Sequence, residues 1–195
     1  MPQTKSAKTA PSTPPLAANG ASGPYAQGMA AESSALEPLG ALAVDFEPEF
    51  VAMLRTLFEE LIVFNRILGL RITEIAPGHA AARLAMRPEL IGHHGHQRLH
   101  GGVVSATLDA LGGLATMAAI GARHMDESVQ ARVSRFSKLG TIDLRVDYLR
   151  QAIGPHFSAS AEVMRLGSRV ASTRMEFFDA QGRLLSTGSA AYIVS

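Results

Sequence analysis

Between Arg98 and Arg123 the chain carries one charged residue, Asp109, within a run from Val103 to Ala122 that is otherwise almost wholly apolar. That run is nearly long enough to span a bilayer. However, Asp109, Thr107, Thr116 and several glycines interrupt it, and an uncompensated carboxylate at mid-membrane is costly. A helix buried in a soluble protein, with no membrane insertion, is the expected outcome. Such a helix is apolar all round and needs cover on most of its sides. The rest of the fold has to provide that cover.

The flanking sequence offers suitable elements. Asp45-Phe46-Glu47-Pro48 reads as a helix start with Pro48 in the first turn. Phe50, Leu54, Leu57, Leu61 and Phe64 then recur at helical spacing, which predicts one amphipathic helix ending near Gly69. Leu70, Ile72 and Ile75 mark a strand, Pro77-Gly78 a turn, and Ala80 to Met86 a second strand. Pro88 to Leu99 reads as a loop rich in His and Gly, and residues 122 to 140 as a polar, basic connection. After that the period becomes two. Ile142, Leu144, Val146 and Tyr148 open a run of strands continued by 157–163, 170–178 and 184–194. Short turns between them predict a four-stranded antiparallel meander. A curled sheet would cover the apolar helix on one side, and a second subunit would supply the remaining cover.

With 195 residues the chain suits one domain, predicted over residues 45–195. Residues 1–44 are rich in Ala, Pro, Ser and Gly without periodicity, and are expected to be a disordered tail. A net charge of +1 gives no electrostatic case for nucleic acid. The chain has no cysteine, which excludes disulfides and thiolate metal sites. Lys5 and Lys8 lead into no apolar stretch of the secretory kind, so a cytoplasmic location is expected.

Burying a carboxylate without partners is expensive, so Asp109 is exposed at an interface, hydrogen-bonded, or functional. A structural carboxylate that caps a neighbouring helix is the plainer alternative. Just ahead of it, His100-Gly101-Gly102 stands where the loop becomes the helix. The first N–H groups of a helix lack intrahelical partners, and glycine lets a ligand approach them. Such a terminus can bind a carbonyl oxygen on which charge develops. The plainer alternative here is a tight turn.

His100-Gly101-Gly102-Val103 followed by Leu108-Asp109 resembles the signature of the PaaI-type thioesterases of the hotdog fold. Thr141 to Arg150 and Gly188 to Tyr192 are similar to the family's later strands, and Lys138 to Asp143 resembles its YigI-like branch. The resemblance spans roughly residues 50 to 195. It implies an α+β hotdog fold, a curled antiparallel sheet wrapped round a central helix, here with an extra N-terminal helix. It implies hydrolysis of medium and long acyl-CoA to free acid and coenzyme A, with coenzyme A as part of the substrate and no cofactor. Gly101 would polarise the thioester carbonyl through its N–H, and Gly102 would join it in binding substrate. Asp109 would be the nucleophile or the general base. His100 would help place the thioester and Thr141 would position water. The family's site lies between two protomers, so the resemblance implies a dimer or a dimer of dimers. Two features depart from it. His94 stands where related enzymes often have Asn, six residues before the motif His, and the 122–140 connection is longer than in compact members.

The imidazoles of His93, His94, His96 and His100 match no strong metal-ligand spacing, and no metal is expected. A substrate-proximal loop containing His94 is the preferred reading. Arg145, Arg150, Arg165, Arg169 and Arg174 lie on or beside the meander. Guanidinium suits phosphate, and Arg150 is taken as the candidate contact for coenzyme A. Two other functions stay open: a non-catalytic acyl-CoA binder, against which a buried Asp109 argues, and an acyl-thioester dehydratase of the same fold, whose glycine and proline context around the His differs from this loop.

Overall fold

In the computed structural model, which describes residues 44–195, α3 (Gly101–Arg123) lies in the concavity of one six-stranded antiparallel sheet. The expected tail over residues 1–44 lies outside the described residues apart from Val44. The strands are β1 (Arg71–Ala76), β2 (His79–Ala85), β5 (Gly140–Tyr148), β6 (His156–Leu166), β7 (Val170–Asp179) and β8 (Leu184–Ile193). Ala80, Ala82, Ala159, Ala161, Ala171 and Ala190 face inward from five to zero per cent exposed. Side chains this small bring the helix close to the sheet. Leu84, Phe157 and Phe177 add larger side chains to this core, and Met175 reaches Gly112 in the middle of α3.

The strand order is β1-β2-β6-β7-β8-β5. Only β6, β7 and β8 form a meander, so the expected run of four is corrected. The long helix carries the chain from β2 to the far edge, where β5 pairs with β8. The chain then crosses back to lay β6 against β2. A second small ribbon, β3 (Ile91–His93) with β4 (Arg98–Leu99), replaces the predicted loop before α3.

The N-terminal helix is broken rather than continuous. Helix α1 (Pro48–Thr56) begins with Pro48 as expected and buries Phe50 and Leu54 completely. A π-helical turn over Leu57–Leu61 follows, closed by a 3.0 Å bond from Ile62 N–H to Leu57 O. Ile62 is extended, and α2 (Val63–Leu68) then runs to Gly69, whose φ of 75° provides a left-handed cap. The extra residue in the turn shifts the helical phase. Leu61 and Phe64, expected in the core, are therefore 66% and 58% exposed, while Asn65 and Leu68 turn inward.

The 122–140 connection is also ordered into α4 (Val129–Ser134) and a 3-10 turn over Arg135–Lys138. With α1 it covers the C-terminal half of α3, so this chain supplies much of the cover that a partner had been expected to give. Gly121 makes the approach of α1 possible, because a Cβ there would overlap the Phe50 ring. Only Ser105, Ala106, Asp109 and Ala110, spaced along one face, remain half-exposed in the middle of the first turns. Among the described residues α3 is the one helix long and apolar enough to cross a membrane, and it is mostly buried inside this protein.

One ion pair ties α1 to α4. Arg132, with no exposed surface, donates to both carboxylate oxygens of Glu47 at 2.7 and 2.6 Å and lies 4.5 Å from the Phe50 ring centre. The hydrogen bond from Arg132 holds the Glu47 carboxyl below its usual range. A carboxyl depressed on folding adds stability above its unfolded pKa of about 4.3, and that stability is lost as pH falls through the folded value. The thermal midpoint is expected to drop as the solution is acidified below about pH 4.3. In Glu47→Gln the midpoint should start lower at neutral pH and fall less steeply. An acid limb as steep as in wild type would show that this pair contributes nothing to it.

Candidate active site

Two clefts open beside α3, one at its N-terminus and one two turns further on. At the N-terminus His100 is the cap. Its Nδ1 accepts from Gly102 N–H at 2.9 Å, and its own N–H donates to Leu90 O at 2.8 Å. Gly92 permits this seat, since a Cβ there would lie 2.6 Å from His100 Cα. Among the described residues no group accepts from Gly101 N–H. Tyr148 donates to Gly101 O at 2.8 Å, and its ring lies beside the glycine. Gly101 and Tyr148 line a cleft of about 440 Å³ together with Arg98, Arg150 and Gln151. Arg150 is held by a 2.8 Å bond from its Nη1 to Leu184 O.

The second cleft, about 260 Å³, is largely apolar and has Asp109 on its wall. Thr141 Oγ1 donates to Asp109 Oδ1 at 2.9 Å. The Tyr192 hydroxyl lies 2.9 Å from Asp109 O and 3.3 Å from Oδ1, so its single proton is shared between them. Asp109 Oδ2 has no hydrogen-bond partner among the described residues. One oxygen of the carboxylate is thus pinned and the other is left for a ligand. Burial, reinforced by the negative charge of Asp109, pushes the Tyr192 phenol well above its ordinary range, so it remains a proton donor.

The sheet brings these donors to Asp109 through two local devices. Thr141 pairs with Tyr192 but Asp143 pairs with Ala191, so Ile142 is a bulged extra residue. Paired residues share a face, and the bulge turns Thr141 onto the inner face beside Tyr192. Ile142, expected to be buried by strict alternation, is 58% exposed for the same reason. Gly112 is the second device. A Cβ there would overlap the Tyr192 hydroxyl, so only glycine lets the phenol reach the helix.

The structure therefore gathers Asp109 and Thr141 at one cleft and Gly101 and Arg150 at the other, with His100 and Gly102 joined in the cap between strand and helix. His94 sits in an exposed 3-10 turn and lines neither cleft. The His93 ring stacks on His96 at 4.7 Å, and among the described residues no three His, Asp or Glu side chains gather as a metal site requires. Sequence reasoning missed Tyr192 and Arg98 as site residues. A buried tyrosine needs a partner for its hydroxyl, and Tyr192 on the inner face of the last strand carried that signal.

Similarity to known proteins agrees with this fold. Residues 96–186 match the family model described as the thioesterase superfamily. The medium/long-chain acyl-CoA thioesterase YigI of Salmonella typhimurium is 35% identical over 131 residues, 67% of this chain and 84% of that protein. Its counterpart in Escherichia coli K12 is 34% identical over the same shares. A crystal structure from Shewanella oneidensis, related to the thioesterase superfamily, superposes with a TM-score of 0.71 at 36% identity. It covers 77% of this chain and 100% of its own.

Neighbouring glycines on α3 give a stability test of the Tyr192 seat. Gly112→Ala should lower the unfolding free energy by about 1–3 kcal/mol through overpacking. Gly113→Ala, whose Cβ would find its nearest neighbour at 3.6 Å, should be neutral or stabilising by up to about 1 kcal/mol. Urea unfolding of the two variants beside wild type measures both, and equal effects would contradict the geometry.

Proposed function

The chain belongs to the thioesterase superfamily, and we propose that it hydrolyses acyl-CoA thioesters of medium to long chain to free acid and coenzyme A. The observation that carries this reading is the state of Asp109: one oxygen fixed by Thr141, with Tyr192 close by, and the other open to an apolar cleft. The medium/long-chain acyl-CoA thioesterase activity for which the YigI relatives are named supports the substrate class. Hydrolysis consumes only water, so no cofactor is required. A cytoplasmic location is part of the same proposal, and the cysteine-free composition is compatible with a reducing compartment.

The roles follow from the chemistry of each group. The free N–H of Gly101, at the positive end of a 23-residue helix, polarises the thioester carbonyl as negative charge grows on its oxygen. Gly102 donates to His100 and so stiffens that terminus. His100 acts by holding this geometry. Asp109 Oδ2 either attacks the carbonyl carbon, expelling the coenzyme A thiolate and leaving an acyl anhydride that water hydrolyses, or takes a proton from a water that attacks and expels the same thiolate, while Thr141 fixes the carboxylate or holds that water. Arg150, with Arg98 beside it, meets the phosphates of coenzyme A. His94 stands outside both clefts, and its substrate contact would depend on a partner subunit.

Gly101 and Asp109 are eight residues apart on one helix, about 12 Å along its axis. Attack requires reacting atoms about 3 Å apart. The two groups also open onto different clefts. A working site therefore pairs Gly101 of one protomer with Asp109 of another, which supports a homodimer or a dimer of dimers. The free edge of β5, the exposed Phe64 at the Asp109 cleft, and the exposed Leu61 and Ile67 are surfaces that a partner would cover. A dehydratase would need a free imidazole and a carboxylate on one substrate. Here the His100 imidazole is used as a helix cap.

Purified protein offered acyl-CoA of several chain lengths should release free thiol. Asp109→Asn should slow release by at least about two orders of magnitude. Undiminished release by Asp109→Ala would overturn the assignment. Gly101→Pro removes the N–H at a first helical position that tolerates proline and should be similarly slow. Mixed dimers of the two inactive variants should recover about a quarter of wild-type activity, because half of the dimers hold one intact site. No recovery, or a monomer by light scattering at micromolar concentration, would place the whole site in one chain.

A further inference from the structure

The apolar cleft beside Asp109 has an aromatic far wall built from two segments that the sheet does not contain. Phe58, from the π-helical turn, meets Phe136, from the 3-10 turn after α4, edge to face with ring centres 5.6 Å apart. Both line the cleft. Phe58 is 3% exposed, so its ring is fixed by the core. Gly113 lies on α3 one turn beyond Asp109, and it too lines the cleft. A Cβ at Gly113 would have Leu139 Cδ2 at 3.6 Å and Phe58 Cε1 at 4.0 Å, so a side chain there would have room and would occupy the cleft.

The Cβ position of Gly113 lies 3.9 Å from Tyr192 Cε1, whose hydroxyl stands at Asp109, and 4.0 Å from Phe58 Cε1, so Gly113 separates the carboxylate from the ring pair. The reacting carboxylate stands at one point, a bare stretch of helix at Gly113 follows, and the ring pair lies beyond. We propose that the Phe58–Phe136 pair is the chain-length gate of this protein, with Gly113 as the open floor over which the acyl tail reaches it. The inference rests on the thioester reading above and adds to it the residues that limit the acyl group. A linear saturated tail fits this lining because the walls beyond Asp109 offer Phe58, Ile62, Phe136 and Leu139 and no charge. Each methylene buried there favours binding by about fourfold, until the tail meets the rings. The Glu47–Arg132 pair fastens α4, and with it the turn carrying Phe136, to α1.

The test compares wild type, Gly113→Val and Phe136→Ala on a series of saturated acyl-CoA of increasing length, read as kcat/KM from thiol release. Gly113→Val should move the optimum to shorter chains, with the longest substrates losing about tenfold or more. Phe136→Ala should extend the optimum to longer chains and leave the shortest substrates near wild type. Calorimetric titration with free saturated fatty acids of the same lengths gives a readout independent of hydrolysis, and the affinity profiles should shift in the same directions. Thermal midpoints of both variants show whether they are folded. Hydrolysis with unmoved length profiles would overturn the gate and leave the function standing. No thiol release by wild type, with fatty-acid profiles that shift as expected, would overturn the function and leave the gate standing. Unmoved fatty-acid profiles in folded variants would overturn the gate in either case.

Discussion

Burying an apolar helix of 23 residues against a sheet is the constraint that organises this protein. A helix without a polar face cannot rest on a surface and must be enclosed. The sheet answers with alanines on its inner face from β2 to β8, which let the backbone of α3 approach closely. The helix answers with Gly112 and Gly121, each at a point where a side chain would overlap a neighbouring ring. Helices α1 and α4 then close over the end that the sheet leaves open. The Glu47–Arg132 pair joins those two covers across a sequence separation of 85 residues.

Within so apolar an enclosure a single carboxylate is a conspicuous expense, and its surroundings show how the fold accommodates it. Asp109 lies on the one face of α3 that stays half-exposed. Its Oδ1 accepts from Thr141, which is on the inner face only because Ile142 is bulged out of register. Tyr192 reaches it only because residue 112 is glycine. The same close packing that encloses the helix thus also delivers the donors that hold the carboxylate. Its other oxygen has no partner among the described residues, and the cleft it borders is largely apolar with no second charge, a setting in which a charged group interacts strongly with whatever binds there.

Much of this was readable before any coordinates. The helix, its isolated Asp109, the glycine pair before it and the strands with their two-residue period all emerged from the chain alone. Gly101 and Asp109 lie on the helix, and Thr141 on the strand that follows it, as the sequence pattern implied. Two of the failures share a physical cause, a single inserted residue. Leu61 and Phe64 continue a helical pattern, yet one π turn rotates both outward. Ile142 continues an alternating pattern, yet one bulge expels it. A single inserted residue reverses the face of everything beyond it, and neither insertion has a local signature in residue type. The connection before β5 looked irregular because its helix is too short to show periodicity.

The sequence by itself determined which segment must be buried, which faces of most strands point inward, and that a lone carboxylate would stand two turns into the buried helix. These follow from local periodicity and from the cost of desolvating a charge, and both can be read one segment at a time. The tertiary structure alone decided that β5 lies at the far edge beside β8, that Thr141 and Tyr192 are the partners of Asp109, and that Gly101 and Asp109 face separate clefts. Those facts depend on strand order, on one bulge and on close contact between residues far apart in the chain. They arise from how the elements pack together, which no segment specifies on its own.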